Sequence, residues 1–449
     1  MSKKSSGGKL SLIALTTIGI GTAIGSGIVS VVGQAVGVTG VSAWVAITIT
    51  ALMGILICAA PAFMCSMMRV DGGNYGFAAL ALGDYWAGAI GLSSISSVFS
   101  MSMFGTSFGL YIHALFPAVS VQLAGIVVMT VFFVLNLLGM NIMAKVQNIM
   151  TACLIGGLLL FIVFGMFNLD PVGTGVFNFT APEFFANGGT GMLSAMMMMI
   201  FATTGMRFLV NFSRDADRPK KDIPIAMLLT CLVVTVLYTG IAIVECGVLP
   251  LDQVAGQTLA VVAQKLMPAP LYVVFMIGGP IMALTTTINS SFPVTVLPLQ
   301  RAAADGFLPR FIGRTNRFGS AWVLMTICYI FAMAPLLFGI GFQTLISAAM
   351  AGSSLIQVVV WFCYLRGPRK VPEAWDKRFY KIPRVIYDLV CIIGMVIWLV
   401  MWLIAIKDTA PAMLAMAGGF YVIMFLIPFI ALKMGKAKVE DAFDVTVDM

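Results

Sequence analysis

Charge is what this chain has least of. Only 10% of its 449 residues are Asp, Glu, Lys or Arg, whereas a water-facing shell takes roughly a quarter. A soluble globular surface is excluded. Histidine occurs once, at His113, no HExxH is present, and no Asp pair falls near a span's midplane, so an enzyme is not expected. The eight cysteines (Cys58, Cys65, Cys153, Cys231, Cys246, Cys328, Cys363 and Cys391) form no CxxC and lie in or beside apolar runs; they read as small buried hydrophobes rather than disulfides or metal ligands. No cofactor is implied. The apolar runs never alternate at a period of two, which excludes a β-barrel. The opening Met-Ser-Lys-Lys-Ser-Ser-Gly-Gly-Lys leads into a stretch too long and Gly-rich for a cleaved signal, so the first helix is expected to stay.

Hydrophobic residues are what remains: 60% of the chain, with 45 Gly, 32 Met and a mean hydropathy of +1.02. Spanning helices of about 20 residues fit near 11–36, 42–66, 87–113, 121–140, 146–168, 190–211, 224–247, 270–298, 321–339, 342–365, 385–406 and 410–432. The expected fold is an all-α integral membrane protein of twelve transmembrane helices. With the N-terminus cytoplasmic, every Lys and Arg except Lys265 and Lys407 falls inside, as positive-inside orientation requires. Both termini are then cytoplasmic, in a cell inner (plasma) membrane. The net charge of +8 reports orientation and anionic lipid headgroups, not nucleic acid.

The first and sixth spans are interrupted mid-membrane by small residues, Gly19 to Ile28 in one and Phe201-Ala202-Thr203-Thr204-Gly205 in the other. Two such segments five helices apart fit an inverted 5+5 repeat. The expected organisation is a cytoplasmic N-terminus (1–10), a first repeat (11–168), a second (190–366), two further helices (385–432) and a cytoplasmic tail (433–449). The alternative for the glycines is close helix packing, since Gly21 and Gly25 form a GxxxG; against it, Gly25-Ser26-Gly27 propagates a helix poorly. A phosphate-binding loop fails on spacing and on the absence of a strand.

Unwound backbone inside a membrane is costly unless it binds something. The N–H groups of Ser26, Gly27 and Ile28, at the positive end of a half-helix, suit a carboxylate. The carbonyls of Ala23, Ile24, Phe201, Ala202 and Thr204 suit an ammonium group. Together they hold both ends of an amino acid. Intramembrane ionisable residues are functional candidates by default, and three readings of Arg207 stand: attraction of an anionic substrate group, an inner gate, or snorkelling to the interface. Glu245 reads as an interface residue and His113 as a surface residue. No carboxylate lies near a span's midplane, which favours exchange or coupling to another ion. The hydroxyl-rich face Thr285 to Ser291 either holds a cation through Thr286 and Asn289 or bonds neighbouring helices. Asn178-Phe179-Thr180 is a sequon in an outer loop.

At these residues the chain resembles the amino acid–polyamine–organocation (APC) superfamily of permeases. Gly25-Ser26-Gly27-Ile28 resembles its first-helix GSGI signature, and Asp71-Gly72-Gly73-Asn74-Tyr75 its GGxY stretch. The run 201–205 is similar to the broken sixth helix, Arg218 to Pro224 to the NPKRxIP loop, and Ala304 to Pro309 to the loop after the eighth helix. The resemblance implies an aromatic lid at Phe201. Two departures stand out: Met206-Arg207 replaces a common Glu, and Cys153-Leu154 replaces a fifth-helix Lys used in some proton-coupled members.

The expected activity is secondary transport of a zwitterionic amino acid by alternating access, with substrate at Ala23, Ile24, Ser26, Gly27, Ile28, Phe201, Ala202 and Thr204. Phe201 and Arg207 serve as gates, and Ser102, Phe104, Met206 and Thr286 set selectivity. The partners are a small-molecule amino acid and membrane lipid, with a homodimer left open. An amino acid/amine antiporter is the alternative, and a channel or sensor of the same fold a more distant one.

Overall fold

The computed structural model describes residues 10–25, 27–170, 173–181, 184–339, 342–409 and 411–445. The first interrupted stretch comprises α1 (Leu12–Ala23), a π-helical turn (Gly27–Val31) and α2 (Val32–Thr39); Ser11 caps α1 through its side chain, which accepts the Ala14 N–H. Then come α3 (Ala43–Met67), α4 (Asn74–Leu82), α5 (Asp84–Ser93), a 3₁₀ turn (Ser94–Ser96), α6 (Ser97–Leu115), α7 (Val121–Leu137) and α8 (Met140–Met166). The second interrupted stretch is α9 (Gly188–Thr203) with a 3₁₀ helix (Gly205–Phe212), followed by α10 (Pro219–Val248) and the short α11 (Leu251–Val254) and α12 (Leu259–Leu266). After α13 (Ala269–Met276) and a π turn (Ile277–Ile281) come α14 (Met282–Ala304), α15 (Trp322–Leu337), α16 (Phe342–Lys370), α17 (Pro372–Asp376), α18 (Arg384–Asp408) and α19 (Pro411–Lys433).

Seven helical stretches among the described residues are long and apolar enough to cross a membrane, from Val32–Met67 to Arg384–Lys407, and Leu12–Ala23, Val121–Leu137 and Trp322–Leu337 are shorter apolar helices. Large apolar side chains such as Ile149, Val236, Ile330 and Val385 are exposed on the outside, as on helices that face a membrane. Two of the expected spans are less regular than their sequences implied. The span expected at 87–113 is divided at Ser94–Ser96, inside a Ser93-Ser94-Ile95-Ser96-Ser97 run whose hydroxyls compete for helix carbonyls: Ser93 and Ser94 both return to Ile90 O. The span expected at 270–298 is deformed at Ile277–Ile281, because Pro280 has no N–H and its ring crowds the preceding turn. The loop helices α4, α11, α12 and α17 were not anticipated.

The buried core has two parts. One gathers α2, α3, α9 and α10; the other gathers α6, α7, α14 and α15. Helix α1 packs on α8, α10 and α14 and against Gly205–Phe212, and the residues flanking the first interruption belong to the first part.

The motif stretches at 71–75 and 304–309, far apart in sequence, meet at one ion network. Arg301 at the end of α14 pairs with Asp71 (2.8 Å) and Asp305 (2.9 Å), Arg214 pairs with Asp71 (2.8 Å), and the Tyr75 hydroxyl donates to Asp305 (2.6 Å). The C-terminal stretch, expected as a plain tail, docks here. Arg69–Val70 (β1) pairs antiparallel with Phe443–Asp444 (β2), in register Arg69 with Asp444. Arg301 also donates to the Glu440 carbonyl. At the other terminus Leu10 pairs with the backbone of Asp215 and Asp217.

Candidate functional site

Both interruptions are present. α1 ends where Ile24 turns extended (φ −88°, ψ 92°), and helical geometry resumes at Gly27. α9 ends at Thr204 (φ −116°, ψ 7°), and the chain continues as the tighter 3₁₀ helix. The two breaks touch. A Cβ added at Gly27 would stand 2.2 Å from Ala202 Cβ and 2.7 Å from its Cα; one added at Gly205 would stand 2.0 Å from the Thr22 carbonyl oxygen. Glycine is required where backbone meets backbone. The packing alternative holds for the earlier glycines of the same run: a Cβ at Gly19 would strike Thr230, and one at Gly21 would strike Gln147.

Two hydroxyls stitch the breaks to the bundle. The Tyr238 hydroxyl of α10 lies 2.9 Å from the Ala23 carbonyl and 3.0 Å from the Ala202 carbonyl. A phenol has one proton, so the two carbonyls share it. Thr287 Oγ1 of α14 lies 2.7 Å from Gly21 O, 3.1 Å from Ile24 O and 2.9 Å from Ala283 O. The Ala23, Ile24 and Ala202 carbonyls thus already meet a hydroxyl, and each retains a second lone pair. The Thr204 carbonyl accepts the Arg207 N–H at 3.3 Å. Gly27 and Ile28 open a helical stretch, where N–H groups have no acceptor within the helix. Ser26 lies outside the described residues, as does the side chain of Phe201, whose backbone belongs to α9.

A cavity of about 100 Å³ adjoins the breaks, room for about three waters at their liquid share of about 30 Å³ each. Ala23, Gly25, Gly27, Ala202, Thr204 and Gly205 line it from the breaks, and Ser96, Ser97, Ser100, Phe104, Arg207, Phe208, Thr287, Thr295 and Trp398 are among its other walls. A second cavity of about 60 Å³ shares Ser96, Ser97, Arg207, Phe208, Val294 and Ser353 with it and reaches Asn74 at the start of α4.

The sequence candidates distribute unevenly. Of the four selectivity residues, Phe104 lines the cavity. Ser102 instead donates to Ala332 O (2.6 Å), and Met206 is buried against Gly54 of α3. Thr286 returns its hydroxyl to Met282 O and Ala283 O, both 2.9 Å. Asn289 donates to Gln147 Oε1 (2.8 Å) and accepts from Asn136 (3.1 Å). The residue that reaches the first break is the neighbouring Thr287, because helical phase turns Thr286 and Asn289 toward other partners. Gly21 O, Ile24 O and the Thr287 hydroxyl form an uncharged oxygen cluster.

Arg207 does not snorkel. Its guanidinium carbon sits 4.7 Å from the Phe208 ring centroid and 4.4 Å from that of Trp398. Nη1 lies 3.5 Å from Thr204 Oγ1, Nε is buried without a partner, and Arg207 belongs to none of the ion pairs among the described residues. Glu245 needs correction: it is wholly buried in α10, and neither carboxyl oxygen finds a partner. His113 is exposed, its Nδ1 2.8 Å from Val119 O.

Tyr238, Trp398 and Thr295 were missed. Nothing in α10, α18 or α14 marks them locally, since each reaches the site only through packing. The serines from 93 to 97 were legible as a run of poor helix formers.

Paired helix breaks beside a small cavity that several Ser and Thr residues line, in a chain with an apolar exterior, define a multi-pass membrane protein that handles a small solute. The amino acid permease family model matches residues 10–427, and the chain belongs to that family. An uncharacterised protein of Methanocaldococcus jannaschii is 23% identical over 394 residues, covering 86% of this chain and 87% of its own length. The branched-chain amino acid permease BcaP of Bacillus subtilis is 26% identical over 270 residues, 55% of this chain and 56% of its own. The methylthioribose transporter of the same organism is 25% identical over 332 residues, 68% and 69%. The APC resemblance is borne out. The chain is an amino acid transporter rather than an enzyme.

Proposed function

We propose that this permease moves an amino acid by alternating access about the two breaks, in a twelve-helix bundle built from an inverted repeat with both termini cytoplasmic. The observation that carries this reading is the contact between the breaks at Gly27–Ala202 and Gly205–Thr22, beside a cavity. The substrate carboxylate sits at the N–H groups of Ser26, Gly27 and Ile28. Its ammonium group sits at the carbonyls of Ala23, Ile24, Phe201, Ala202 and Thr204, using lone pairs that Tyr238 and Thr287 leave open. Phe201 closes over it, and Arg207, common to both cavities, stands where the path turns inward. The oxygens of Gly21, Ile24 and Thr287 offer a seat for a coupling cation, in place of the Thr286–Asn289 pair.

The test is uptake of radiolabelled amino acids into proteoliposomes, with and without Na⁺, a pH gradient and internal substrate. Gly27→Val places a side chain within 2.2 Å of Ala202 Cβ, an overpacking of about 1–3 kcal/mol confined to the contact between the breaks. Monodisperse protein with no uptake is the expected result. Wild-type uptake by this variant would remove the breaks from the transport path.

A further inference from the structure

Arg207 bears on which amino acid the cavity takes. Its guanidinium lies against two aromatic faces, Phe208 and Trp398, at 4.7 and 4.4 Å. A planar guanidinium stacked in this way keeps its N–H edges free for in-plane hydrogen bonds, the geometry that meets a carboxylate bidentately. Those edges are poorly used. Thr204 Oγ1 lies at 3.5 Å, and Nε is buried without a partner.

Among the described residues no carboxylate pairs with it. Asp71 and Asp305 are held by Arg214 and Arg301 in the cytoplasmic network. Asp222 is paired with Arg218, and Asp388 with Arg369 and Arg384. An interior cation with no counter-ion among the described residues is costly, and Arg207 lines the cavity together with the two rings it packs on. A second, independent feature points the same way: Thr295 lines the same cavity, is wholly buried, and its hydroxyl has no partner. A buried hydroxyl and a guanidinium edge, both short of acceptors, suit a ligand rich in acceptor oxygens.

We propose that Arg207, aided by Thr295, binds the side-chain carboxylate of an acidic amino acid, so that this permease selects anionic over neutral substrates. The inference rests on the transport reading above and refines its substrate class. The α-carboxylate remains at the N–H groups of the first break, and the side-chain carboxylate supplies the ion-pair partner that Arg207 has from none of the described residues.

Competition against uptake into proteoliposomes tests it, with aspartate and glutamate set against their neutral isosteres asparagine and glutamine and against leucine. Wild-type protein should favour the acidic member of each isosteric pair by roughly ten- to a hundredfold, the range for one charge-assisted contact. Arg207→Met should abolish that preference, Arg207→Lys should restore part of it, and Thr295→Val should weaken it less. If neutral amino acids are carried and acidic ones do not compete, the inference falls and the transport reading stands. Equal competition by both members of each pair also overturns it, since Arg207 would then be reading the α-carboxylate. If no amino acid is carried, the transport reading itself fails. The wild-type comparison needs no variant, so a misfolded Arg207→Met leaves the test intact.

Discussion

Tyr238→Phe isolates the chemistry of the breaks from their packing. The tyrosine is wholly buried in α10, and its hydroxyl touches the Ala23 and Ala202 carbonyls at 2.9 and 3.0 Å. Phenylalanine keeps the ring and opens no cavity, so the substitution removes one donor shared by two acceptors. Leaving a buried acceptor unserved costs about 1–3 kcal/mol. Because a single proton serves both carbonyls, the loss is one such cost rather than two, equivalent to roughly a five- to 150-fold weakening of the arrangement in which the two breaks meet. The expected phenotype is a folded, monodisperse protein whose uptake efficiency (kcat/KM) in proteoliposomes falls by at least fivefold. Kinetics within twofold of wild type would refute the reasoning, because the phenol would then be a packing residue whose bonds to the break carbonyls carry no weight in transport.

Two further predictions concern the ion network around Asp71 and the contact at Leu10. Arg301→Gln breaks the pairs to Asp71 and Asp305, whose side chains are 19% and 6% exposed. A loss of about 1–3 kcal/mol in detergent thermal unfolding is expected, and an unchanged midpoint would show the network to be energetically idle. Asp215 lies beside the Leu10 contact, and burial, with Asp71 nearby and Arg214 and Arg69 opposing, lifts its carboxyl from 3.8 to about 6. The folded chain therefore holds a proton that the unfolded chain has released; this stability is complete below about pH 4, declines as pH rises through about 6, and amounts to at most about 3 kcal/mol. Asp215→Asn should flatten that stretch of the pH–stability curve, and an unaltered curve would remove Asp215 as its source.

Much of the architecture was legible along the chain because a bilayer is a demanding solvent. Scarce charge and long apolar runs leave only spanning helices, so the helices arise close to where hydropathy puts them. Gly25-Ser26-Gly27 and Thr203-Thr204-Gly205 marked the breaks for a local reason: neither run sustains a helix without help. The deformation at Pro280 and the division at Ser94–Ser96 had equally local causes but were passed over, since neither puts a charge into its span. Glu245 was misplaced because its position near the end of a span says nothing about what covers it.

The sequence by itself determined the membrane solvent, the helical class and the location of the two backbone interruptions, since each follows from composition or from propensity within a few residues. Only the tertiary structure decided that the interruptions touch, that Tyr238 and Thr287 rather than Thr286 and Asn289 hold them, and that Arg207 lies between two aromatic rings beside a cavity. Those facts depend on helical phase and on which helices are neighbours. Residues hundreds of positions apart become partners only when the bundle is packed.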